Sequence, residues 1–145
     1  MRTQTSSRLT FAQIVVAIAG AVNLIAGAML LLAPAWFFEA IGNFPPFNRH
    51  YMGDVGAFLL PLGAGLMIAA ADPHRHRGLI GVAAAGSLLH VGNHLYDDFV
   101  IGQSSAHFLS ETLPLLVLAI LLIVAYGRLK VAATETRSLP SQTET

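Results

Sequence analysis

"LTFAQIVVAIAGAVNLIAGAMLLLA", residues 9–33, decides the fold. A run this apolar is either a secretory leader or a membrane span. Arg2 and Arg8 precede it, and Ala33-Pro34-Ala35 mimics a leader cleavage site. A leader's apolar region is about 7–15 residues, whereas a spanning helix needs about 20. The length predicts a retained membrane helix.

Three further segments have the same character: residues 51–71, 79–101 and 106–126. Of the 145 residues, 54% are hydrophobic and only 11% charged. A soluble domain carries about 25% charged residues. The expected fold is all-α: an integral membrane four-helix bundle of four spans. A polar segment at residues 1–8 precedes the transmembrane domain at 9–130. The tail at 131–145, "VAATETRSLPSQTET", has too few apolar groups to order itself. Between the first two spans, "PAWFFEAIG" predicts a short interfacial helix: Pro34 suits a first turn, and Trp36, Phe37 and Phe38 suit the headgroup level. Pro61 and Pro114 each interrupt a span. Glycines recur along the spans and permit close helix approach.

There is no cysteine and the formal net charge is zero. Disulfides, thiolate metal sites and Cys nucleophiles are thereby excluded, and nothing argues for a nucleic-acid partner. The partner implied is the lipid bilayer, with a homo-oligomer or a larger membrane complex beyond it.

Seven of the eight basic residues fall before span one, between spans two and three, or after span four; only Arg49 lies in the other loops. Basic loops stay cytoplasmic. The expected address is the plasma (inner) membrane, multi-pass, with both termini inside.

"LLHVGNHLYDD", residues 88–98, then stands out. At about 100° per residue, Asn93, Asp97, His90, His94 and Asp98 fall in that angular order within an arc of about 140°. Span three runs outward, so these residues lie in its outer part. Arg49, His50 and Asp54 at the start of span two, and His107 and Glu111 at the start of span four, lie at the same level. Ionisable groups at membrane depth are costly and face a bundle interior or a wet cavity. Asp54, His90, His94 and Glu111 form the expected ligand set of an outward-facing pocket, with Arg49, Asn93, Asp97 and His107 in support. Imidazole and carboxylate donors suit a transition metal, with haem as a variant. Asp98 reads as the point where span three meets water. The same groups also suit a structural network, an accessory subunit of a larger complex, or a membrane enzyme moving a proton on a lipid-soluble substrate. No catalytic residue is assigned. His50-x3-Asp54 and His107-x3-Glu111 each lead into a Pro-containing span, a faint sign of a duplicated hairpin.

"LLAPAWFFEAIG" followed by "NRHYMGDVGAFLLPLGAGLMIAA" resembles small four-span bacterial membrane proteins of the DUF4345 and DoxX-like kind. The likeness covers roughly residues 20–71 and implies a four-span fold and a membrane address. The histidine-rich third span departs from that pattern.

Overall fold

The computed structural model describes residues 10–42 and 44–137. The polar segment at 1–8 and the end of the expected tail, residues 138–145, lie outside the described residues.

Among the described residues every regular element is a helix. α1 spans Phe11–Leu32 and starts on a reciprocal cap: the Thr10 hydroxyl accepts from Gln13 N, and Gln13 Oε1 accepts from Thr10 N at 2.9 Å. α2, Pro34–Ala40, is the short helix expected after the first span, with Pro34 in its first turn. α3, Arg49–Ala71, is capped by Asn48, whose Oδ1 accepts from His50 N and Tyr51 N, and it runs unbroken through Pro61. α4, Arg77–Tyr96, leads into a π-helical turn at Asp97–Ile101. Gly102, with φ of 84°, ends that turn in a left-handed conformation that favours glycine. Ser104 caps the next helical stretch, which comprises α5 (Ser105–His107), a second π-helical turn (Phe108–Thr112) and α6 (Leu113–Arg137). Pro114 has no N–H for the Ser110 carbonyl, and its ring crowds that group. This accounts for the wider turn before it. α6 continues past Val131, where the tail was expected to begin, as far as Arg137.

Three helical stretches, Phe11–Leu32, Arg49–Ala71 and Ser105–Leu129, are long and apolar enough to cross a membrane. α4 is not among them. It has 20 residues, but His90, Asn93 and His94 fall in its last two turns.

α1 packs most extensively on α3, and α4 on α6; α1 also lies along α6. The α1–α3 seam is built on glycine. A Cβ at Gly63 would stand 2.5 Å from Leu24 N, and one at Gly27 would stand 2.7 Å from Leu60 N. The two backbones are therefore in direct contact, as small residues allow in lipid. Val16, Ala19, Leu66, Ala69, Ile80, Leu122 and Ala125 form the common core. Outward, the helices present Ile25, Phe58, Ile68, Val82 and Leu89, each more than half exposed. Large apolar side chains exposed in this number mark a surface that meets something other than water.

Candidate functional site

α4 and the helical stretch from Ser105 meet at the Gly102 end, where both carry their π-helical turns. Such turns re-aim side chains by inserting one residue into the helical register, and they recur at functional sites. Here they bring Asp98 against His107 and Thr112. Thr112 Oγ1 donates to Asp98 Oδ2 at 2.6 Å, and His107 Nδ1 lies 2.7 Å from Asp98 Oδ1. A carboxylate only accepts, so Nδ1 carries the proton. His107 Nε2 is thus turned the other way, 3.5 Å from Glu111 Oε2. Asp98 is 5% exposed, His107 13% and Glu111 22%. A carboxylate behind one imidazole nitrogen, fixing the ring so that the other is presented, is how metal-binding histidines are held.

His94 completes the group. Its ring stacks on His107 with centroids 5.7 Å apart and planes 19° from parallel. Its Nε2 is 3.2 Å from His90 Nε2, and its Nδ1 is buried with no hydrogen-bond partner. One donor atom each from His94, His107 and Glu111 lies within 4.8 Å of the others. A triangle of that edge has its centre about 2.8 Å from each corner, against about 2.0–2.2 Å from zinc to nitrogen or oxygen ligands. Closing the difference takes a shift of about 0.6–0.8 Å at each donor. A cleft of about 310 Å³, lined by Asp98, Phe99, Gln103, Ser104, Ser105 and Phe108, opens beside the cluster.

The expected residues separate into those the fold gathers and those it leaves apart. His94, Glu111 and His107 come together, and His90 joins through His94. Asp54 does not belong to the group of three: it is 58% exposed and sits 3.4 Å from His50. Arg49 is an exposed first residue of α3. Asn93 is exposed and Asp97 half-buried. The polar arc of α4 is therefore divided, with His94 and Asp98 turned inward and Asn93 turned outward.

Asp98 and Thr112 were not anticipated as members. Thr112 is fully buried. A signal for Asp98 existed in the spacing: it lies eighteen residues, about five helical turns, beyond Ile80 and so on the same face. Ile80 is fully buried. The expectation of a water boundary at Asp97–Asp98 concealed this.

Compared with family models, with curated proteins and with solved structures, the chain matches none.

Proposed function

We propose that this chain is a four-span protein of the plasma membrane, both termini cytoplasmic, whose outward-facing His/carboxylate pocket binds a transition metal ion. The likeness to DoxX-like four-span proteins over residues 20–71 belongs to the same reading. Support for the membrane half comes from the three long apolar helices and from the placement of charge. Arg77 lies over the Tyr126 ring at 5.1 Å and Arg128 over the Phe11 ring at 4.4 Å, gathering basic and aromatic groups at the end opposite the cluster. Basic residues mark the cytoplasmic side, and aromatic rings the interface. On this reading α4 also crosses the bilayer, as span three, with its polar residues turned partly to the pocket.

The observation that carries the metal reading is the convergence of His94, His107 and Glu111 within 4.8 Å, with His94 Nδ1 left unpartnered. A nitrogen-rich set with one carboxylate and no thiolate suits zinc, nickel, cobalt or copper(II) over magnesium or calcium. A small ion fits three donors that converge in this way. Asp98 holds His107, and Asp54 has no part in the set.

Elemental analysis of protein purified without added chelator tests this. One equivalent of a first-row metal is expected in the parent, falling at least tenfold in His94→Ala and in His107→Ala, and unchanged in Asp54→Ala. Parent protein that stays metal-free after incubation with zinc and with nickel contradicts it.

A further inference from the structure

α4 differs from the other long helices in what it turns outward. The outer faces of α1 and α3 carry large apolar side chains such as Ile25 and Phe58. The outer stripe of α4 carries Gly78, Val82, Gly86, Leu89, His90 and Asn93, all exposed. At 100° per residue Val82, Gly86, Leu89, His90 and Asn93 fall within about 100° of one another. A Cβ at Gly78 or Gly86 would meet nothing within 4 Å, whereas Gly20, Gly27, Gly56 and Gly63 are all used in the α1–α3 seam. Asn93 lies about 13 Å along the helix from Gly102, at 1.5 Å per residue. On the four-span reading, on which this inference rests, its amide is therefore inside the hydrocarbon layer. A carboxamide facing lipid tails has lost its water and found no partner, which is unfavourable.

We infer that this stripe of α4 docks on the same stripe of a second copy of the chain, Asn93 pairing with Asn93 of the second copy across a twofold axis. Two physical arguments favour a second copy over a different protein. A carboxamide is both donor and acceptor and so satisfies its own kind. Copies of one chain also insert with the same topology, which brings Asn93 to the same depth in both without further adjustment, while a twofold interface uses one patch twice. Gly86, two turns away, lets the axes approach. The interface also reaches the metal pocket: His90 lies at the flank of the stripe, its Nε2 3.2 Å from His94 Nε2.

The natural absence of cysteine makes the test direct. Single variants Val82→Cys, Gly86→Cys and Leu89→Cys are oxidised with iodine in membranes, beside Ile25→Cys and Phe58→Cys on the outer faces of α1 and α3. Disulfide dimers are expected at the α4 positions, at least fivefold above Ile25→Cys and Phe58→Cys. Adding Asn93→Leu to Leu89→Cys is expected to lower its yield severalfold, and adding Asn93→Gln to restore part of it. Equal yields at all five positions, or none on α4, overturn the inference. A membrane-impermeant maleimide distinguishes failure of the underlying reading: labelling of Leu89→Cys in sealed vesicles removes α4 from the bilayer and refutes the four-span arrangement together with the docking. Dimer bands confined to α4 with Leu89→Cys unlabelled support both.

Discussion

Between α1 and α3, backbone touches backbone through Gly20, Gly27, Gly56 and Gly63, and no hydrogen bond between side chains of the two helices is needed. Between α4 and the helical stretch from Ser105, the join at the Gly102 end runs through Asp98, His107 and Thr112, with bonds of 2.6 and 2.7 Å. The two pairs share a plan: each has a His-x3-carboxylate pair near the start of its second helix, at 3.4 Å for His50 with Asp54 and 3.5 Å for His107 with Glu111. They differ in burial. The first pair is exposed, while the second lies in a nearly closed cluster. The same local motif is solvated in one place and confined in the other, and confinement makes the second a candidate for chemistry. A glycine seam this tight tolerates no added atom, whereas a polar cluster tolerates some substitutions.

The strongest way to separate the pairs is to add a side chain to the seam. Gly63→Leu puts its Cβ against the Leu24 backbone, which cannot rotate away. The cost is expected above the roughly 1–3 kcal/mol of ordinary overpacking. Size-exclusion chromatography in detergent is expected to show aggregated or absent protein. Gly92→Ala, with open space around its Cβ, is expected to elute like the parent. Similar behaviour of the two variants breaks the account of the seam.

A smaller effect is expected at the polar join. Thr112→Val removes one hydrogen bond to a carboxylate while keeping the volume, at about 1.5–3 kcal/mol. A change of that size lowers the melting temperature by about 3–12 °C in a chain this long. Asp98→Ala removes the acceptor of both His107 and Thr112 and is expected to lower it further. Thermal melts that reverse this order would argue that Asp98 does not hold the two helices together.

At the exposed pair, His50→Ala and Asp54→Ala are expected to leave the melting temperature and the metal content unchanged within error, because exposed ion pairs contribute little. Loss of metal in Asp54→Ala would return that residue to the site.

Much of this comparison was legible in the sequence. The helix positions followed from the apolar runs, because a span's length is set by the bilayer and shows as an uninterrupted stretch. The short helix at Pro34 followed from its proline and aromatic residues. The close α1–α3 approach was implied by the glycines, but their partners were not, since spacing fixes a face and not what lies opposite. His94 was legible as part of the polar arc of α4. Glu111 and Asp54 were both placed beside it on depth alone, and depth does not tell which way a side chain points. Asp98 was missed because its position near a helix end suggested water. The π-helical turns carry almost no sequence signal apart from Pro114, yet they accompany the meeting of Asp98, His107 and Thr112.

The most direct test of whether the cluster is a site or a scaffold is a thermal melt of Glu111→Gln beside the parent, with metal content measured on the same preparations. Glu111 approaches His107 at 3.5 Å but is not the group that holds it. The variant is expected to melt within about 4 °C of the metal-free parent, an offset of about 1–2 kcal/mol at this chain length, while losing the bound metal. It should also lose the upward shift that zinc or nickel gives the parent through binding to the folded state. A melting temperature that falls well beyond that range, in a parent that neither holds metal nor shifts when metal is added, would make the cluster a structural lock and contradict the account.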